Sequence, residues 1–289
     1  MSIAFCFLTI NDVLNHRIWT KYFKNIDKSK YNIYVHPKFE HNVKSQFFKS
    51  HIISNLKQTS WGHLLNAYFS LLNTARSNPA NLKFIMLSDS CIPIQSFDKL
   101  YMELITSDQT EIKSLSYINL TSLNLGNFYM SNVKIPKPII KHSGWFVLSR
   151  CHLDKLNNSK FIHNYNCILA GDEYVISLIY PDDNIINKLI TFVKWHSQSD
   201  IEKIKKQLIE LYKIVDNPNA DIQTLEQTHN LIAKLRNIKL NMHKHPMTFN
   251  NKNFSEYLPD MINSKAFFCR KVVKLKKKNR HIVYNLINN

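Results

Sequence analysis

The first ninety residues alternate short runs of β-branched and aromatic residues with longer stretches of helical period. That alternation restricts the chain to an α/β fold, a mixed and mainly parallel sheet flanked by helices. Residues 3–9, 31–35 and 83–87 predict strands. Between the last two, Trp61, Leu64, Leu65, Tyr68, Leu72 and Ala75 fall on one face of a helix predicted over 61–76, with Ser60 placed to cap it. A shorter helix is predicted over 96–105, set off by Pro93.

The pattern weakens from 111 to 141, where one strand over 114–120 precedes a loop holding Pro136 and Pro138. A strand over 144–149, a short helix, a helix over 172–180 ended by Pro181 and a strand over 189–195 follow. Residues 199–240 differ in texture: two charged amphipathic stretches meet at Asn217-Pro218-Asn219, the pattern of an inserted αα-hairpin. The hairpin carries no residues suited to chemistry, so it reads as a packing element or a surface for self-association. The remainder reads as a single domain over 1–289, with a basic tail at 272–289.

Four glycines and 44% hydrophobic residues suit a packed core rather than a disordered chain. The apolar run at 3–10 has no basic segment before it and no cleavage site after it, and nothing later approaches the roughly 20 apolar residues of a membrane span. The expectation is a soluble, cytoplasmic protein. Five scattered cysteines, Cys6, Cys91, Cys151, Cys167 and Cys269, match neither a disulfide framework nor a metal motif and read as reduced, mostly buried thiols. A net charge of +17 favours anionic partners.

In open α/β sheets ligands bind beyond the carboxyl ends of strands, which directs attention to the segments just after Thr9, Val35, Leu87 and Ser149, holding Asn11-Asp12, His36-Pro37, Ser88-Asp89-Ser90 and Arg150. No glycine-rich phosphate loop is present, so phosphates must be held by side chains or helix N-termini. Kinases and dinucleotide oxidoreductases are thereby disfavoured. HExxH, GxSxG and Asp-x-Asp are absent too, and His243-x-His245 alone does not define a zinc site.

Seven segments, in this order, resemble the core 2/I-branching β-1,6-N-acetylglucosaminyltransferase family, which includes protein xylosyltransferases and a plant branch. They are Ser60-Trp61-Gly62, residues 87–94 (LSDSCIPI), 143–150 (SGWFVLSR), Gly171-Asp172-Glu173, 191–195 (TFVKW), 245–249 (HPMTF) and 267–271 (FFCRK). The resemblance implies a glycosyltransferase A-type, Rossmann-like fold. It also implies transfer of a sugar, N-acetylglucosamine first, from a UDP donor to a glycan or glycoprotein hydroxyl, with inversion and without a metal or other cofactor.

The family's catalytic base falls on Glu173, although Gly171 replaces its proline; read alone, Asp172 and Glu173 could merely complement a helix dipole. Cations for the departing diphosphate fall on Lys244 and Lys271, with Arg270 beside the latter. Thr9, Ser60, Trp61, Asp89 and Ser90 are expected on the donor side, as is His36, which stands where animal enzymes carry a uridine-reading aspartate and leans the resemblance toward the plant branch. Trp61 could equally be core. Trp145, Asp172 and Trp195 are expected on the acceptor side, with a core tryptophan as the other reading for both indoles.

Two alternatives stay open. One is the same enzyme with UDP-xylose or UDP-glucose as donor. The other is an inactive, basic nucleic-acid-binding or scaffold protein using 274–280, although that run lacks interleaved aromatic residues.

Overall fold

The computed structural model describes residues 1–106, 114–122, 139–217, 221–244 and 246–288, with 122, 241, 243 and 244 described by backbone alone. It divides into two compact units, 1–192 with 250–289, and 193–249.

The larger unit opens with β1 (Ser2–Thr9), α1 (His16–Phe23), β2 (Tyr31–Pro37), α2 (Gln46–Lys49), α3 (Leu65–Arg76) and β3 (Asn81–Ser88). There follow β4 (Ile92–Pro93), α4 (Phe97–Tyr101), β5 (Ser116–Ile118), β6 (Leu120–Ser122), β7 (Lys141–His142), β8 (Val147–Ser149) and α5 (Arg150–Asn157). The central sheet has the order β2-β1-β3-β8-β5-β9, with β9 at Ile185–Asn187. The pairings of β1 with β2, β1 with β3 and β5 with β9 are parallel, and β8 alone runs against its neighbours. This is the mixed, mainly parallel sheet expected.

All eight residues of β1 are buried because helices cover both faces. Its side chains alternate: Phe5 and Phe7 meet Trp19 from α1, while Ala4, Cys6 and Leu8 join the cluster holding Tyr68, Leu71 and Leu72 of α3. A small second sheet, β10-β11-β4, adds β10 (Thr191–Val193) and β11 (Phe268–Arg270). β6 and β7 form a two-stranded ribbon. α8 (Leu258–Asn263) and α9 (Lys277–Asn288) complete the unit, and the expected basic tail is largely α9, which buries Asn279, Val283 and Ile287 and packs against α1.

Three local expectations are corrected. The helix predicted from Trp61 begins at Leu65, because Ser60 and His63 bridge across a tight turn in which Gly62 has φ +76°, a conformation that breaks the helical path. Ser60 therefore caps nothing, and Trp61 stands 71% exposed rather than in the core. The helix predicted over 172–180 is instead two 3₁₀ turns, Gly171–Glu173 and Val175–Leu178. Its backbone is drawn off: the Ile176 N–H donates to His142 Nε2 at 3.3 Å, and the Ser177 side chain engages Ile140. The strands expected at 114–120 and 144–149 are shorter, at β5 and β8. Pro136 and Pro138 lie outside the described residues.

The smaller unit contains two long helices, α6 (Gln198–Val215) and α7 (Ile222–Lys244), which pack on one another. Ser197 and Asp200 form a reciprocal capping box at the start of α6. Pro218 and Asn219, at the expected turn between the helices, lie outside the described residues.

Candidate active site

The carboxyl ends of β1 and β3 lie side by side, with Leu8 in register with Ser88, and Thr9 opposite Pro37 of β2. Side chains and backbone tie the loops beyond them together. Asp89 Oδ2 accepts from the Ile10 N–H at 3.3 Å, and the Asp89 carbonyl from the Leu14 N–H at 3.0 Å. The Val272 N–H donates to the Ser90 carbonyl at 2.9 Å, and the buried Asn15 amide donates to the carbonyls of Val272 and Val273 while accepting from the Leu275 N–H. The 88–91 loop is thus held between the start of the chain and the segment following β11.

That arrangement delivers Arg270 to the site. Its guanidinium lies 4.5 Å from the centroid of the Trp145 ring, and Nε donates to Ser88 Oγ at 3.2 Å. Lys271 follows, half-buried. A guanidinium laid on an indole keeps its charge while one face is shielded, so it presents a fixed cation at low ordering cost.

Opposite it stands the turn 171–173. Ala170 takes a left-handed conformation, φ 56°, and its N–H donates to the Gly62 carbonyl at 2.6 Å, joining the Ser60-Trp61-Gly62 turn to this one. At Gly171 there is no room for a side chain: a Cβ would fall 2.0 Å from the Tyr165 carbonyl oxygen. Glu173 closes the turn with its N–H on the Ala170 carbonyl at 2.8 Å, and its carboxylate, 37% exposed, lies 3.4 Å from Lys141 Nζ. A cleft of about 290 Å³ opens between the 58–66 loop and this turn, lined in part by Ser60, His63, Asn66, Asn166 and Gly171. A larger hollow of about 750 Å³ beside α1 and α4 is lined by Phe267 alone of the motif segments and by none of the expected site residues, so size alone does not mark the site.

Behind Glu173 lies Asp172, 4% exposed, with Oδ1 lacking a hydrogen-bond partner. Burial, and then the neighbouring Glu173 charge, push its carboxyl up to about 7. The Tyr68 hydroxyl donates to the Gly144 carbonyl at 3.0 Å. Burial raises this phenol well above its usual range; Asp172 and Glu173 add to the effect and Arg270 opposes it. Tyr68, Asp172, Glu173 and Arg270 therefore share one electrostatic neighbourhood. Gly144 is what lets them meet, since a Cβ there would sit 2.8 Å from Tyr68 Oη and 3.6 Å from Asp172 Oδ2.

Burial places several of the expected contact residues inside the fold. His36 is wholly buried, with Nε2 accepting from the Lys57 N–H at 2.8 Å, so it shapes the 57 loop. Thr9 is 4% exposed and its hydroxyl donates to the Asn11 carbonyl at 2.7 Å, which shapes the loop after β1. Ser90 is buried against Ser88, at 3.2 Å between hydroxyl oxygens. Asp172, expected at the acceptor, supports Glu173 from inside. Trp145, also expected there, carries Arg270. Asp89 stays partly exposed. Lys244 ends α7 and its side chain lies outside the described residues, as does His245; Trp195, in the smaller unit, is 56% exposed. The five cysteines are all free; Cys6, Cys91 and Cys269 are buried, as expected of mostly buried thiols, while Cys151 and Cys167 are exposed.

Two residues escaped the sequence reading. Tyr68 looks like one more apolar position on α3, and nothing local shows that its hydroxyl reaches Gly144. Lys141 lies two residues before the matching segment 143–150, and that proximity was the available signal.

The Core-2/I-Branching enzyme family profile matches residues 3–226. Glycosyltransferase BC10 of Oryza sativa subsp. japonica is 28% identical over 277 residues, covering 82% of this chain and 68% of the rice protein. The chain belongs to the core-2/I-branching enzyme family and is a glycosyltransferase. Among solved structures, a glycosyltransferase involved in the glycosylation of the major capsid of PBCV-1 is similar at 10% identity, covering 99% of this chain and 100% of that one with a TM-score of 0.35. That score is too low to bear on the fold. Among the described residues no helix is long and apolar enough to cross a membrane, and no group of three His, Cys, Asp or Glu side chains is arranged to hold a metal.

Proposed function

We propose that this glycosyltransferase moves a sugar from a UDP donor to a hydroxyl of a glycan or glycoprotein with inversion, using Glu173 as general base and side-chain cations in place of a metal. The observation that carries the reading is an exposed carboxylate, Glu173, and a ring-stacked cation, Arg270, in one electrostatic neighbourhood. Glu173 takes the acceptor proton as the acceptor oxygen forms its bond to the anomeric carbon. The bond from that carbon to the diphosphate breaks in the same displacement, so one base suffices and the configuration inverts. Arg270 and Lys271 stabilise the charge that gathers on the departing UDP, with Lys244 as a third cation in line with the family resemblance. The missing Asp-x-Asp in the sequence supports the metal-independent form of this reading. N-acetylglucosamine is the first sugar to try, with xylose and glucose next.

The test is a panel of UDP-sugars assayed with a chelator present, wild type beside Glu173→Gln, with the anomeric configuration of the product read by NMR. Wild-type turnover with an inverted product, and loss of about 100-fold or more in the variant, is the expected result. Undiminished turnover by Glu173→Gln removes the mechanism.

A further inference from the structure

This inference rests on the reading of Glu173 as the base. Groups that are negative or become so on ionisation surround that carboxylate: Asp172 and Tyr174 on its own segment and Tyr68 on α3. Two cations reach the same neighbourhood. Arg270 on β11 is engaged with Trp145 and Ser88. Lys141 on β7 lies against Glu173 itself, 3.4 Å from Oε2. His142, next to Lys141, is fully buried; burial lowers it to about 4, so it faces the turn as a neutral ring.

A half-exposed ion pair on its own adds little to stability. This pair differs in how its two backbones are joined. The Ile140 N–H donates to Ser177 Oγ at 2.8 Å, and the Ser177 hydroxyl donates back to the Ile140 carbonyl at 3.2 Å. On the other side of Lys141, His142 Nε2 accepts from the Ile176 N–H at 3.3 Å. The residues flanking Lys141 are therefore bonded, through buried groups, to the turn that follows Glu173. The two backbones are fixed relative to each other while the Lys141 and Glu173 side chains stay 43% and 37% exposed, open to a ligand.

We propose that Lys141 is a positioning residue for the transfer reaction, holding the Glu173 carboxylate in a single orientation until the acceptor hydroxyl arrives.

The test is kcat and KM, read as UDP release from whichever of UDP-N-acetylglucosamine, UDP-xylose and UDP-glucose is turned over, with thermal unfolding as the check on folding. Wild type is compared with Lys141→Met, Lys141→Gln and Lys141→Arg, and with Glu173→Gln. Both neutral variants are expected to lower kcat about threefold with the donor KM little changed, and Lys141→Arg to restore it. An unchanged kcat, or a loss that arginine does not restore, overturns the proposal. If Glu173→Gln is inactive while the neutral variants keep the wild-type kcat, the positioning role alone is lost; if Glu173→Gln is fully active, the base reading fails and takes this role with it.

Discussion

Replacing Asp172 by Asn should make the protein more stable at pH 8 and leave it nearly unchanged at pH 4. The carboxyl is 4% exposed, one oxygen has no partner, and it sits beside the Glu173 charge. In the unfolded chain it ionises near 3.8; in the fold it does so at about 7. Because the folded value is raised, the group's contribution is fully present below 3.8 and is lost as pH rises through about 7. The gap is about three pH units, and at about 1.36 kcal/mol per unit it costs up to about 4 kcal/mol once both states are ionised. Local relaxation and water entry reduce such penalties, so about 2–4 kcal/mol is expected. Asn fills the same volume without a charge to bury, so the variant escapes the loss. For a chain of this length that is an advantage in Tm of roughly 3–7 °C at pH 8. Thermal unfolding of both proteins from pH 4 to pH 8 reads the difference, since pH effects of groups that do not interact with Asp172 cancel in the comparison. An offset that does not change with pH, or a variant less stable at pH 8, would refute the placement of a buried, ionisable carboxyl behind the base.

His142 gives the opposite slope. Its folded value, about 4, lies below the usual 6.5, so its contribution is present above 6.5 and is lost as pH falls toward 4, by about 3 kcal/mol. His142→Gln should flatten that decline when urea unfolding at pH 7 is compared with pH 4.5; a parallel decline in the variant would count against it. Arg270→Lys keeps the charge but loses the planar group on Trp145, and UDP should bind about tenfold more weakly by calorimetry with unfolding little changed. Equal UDP affinity would mean that the guanidinium does not meet the nucleotide.

The central sheet was readable because β1 and β3 are continuous apolar runs, a pattern that only strands covered on both faces require. The ends of helices were less readable. Apolar spacing continues backward from Leu65 through Leu64 to Trp61, and only the positive φ of Gly62 breaks the helix. Val175, Ile176 and Ile179 likewise carry a helical period, yet the Ile176 N–H is claimed by His142 and the Ser177 hydroxyl is tied to the Ile140 backbone, which no local rule reveals. Motif position led to Glu173 and Arg270, whereas the depth of His36, Thr9 and Asp172 was invisible, because a strand end looks the same in sequence whether its side chain faces a cleft or a loop. Tyr68 shows the same limit from the other side. Its partner Gly144 is 76 residues away, and its hydroxyl is the only hint that a residue on a core face has a polar target.

The clasp made by Asn15 has a consequence for how the protein is made. That amide grips residues 257 to 260 positions further along, adding to the pairing of β11 with β4 and the Val272 N–H bond to Ser90 that anchor the segment carrying Arg270 and Lys271. During synthesis from the N-terminus, the sheet and the Glu173 turn emerge well before those two cations. A nascent chain halted at residue 260 is therefore expected to carry the proposed base and Lys244 while lacking Arg270 and Lys271.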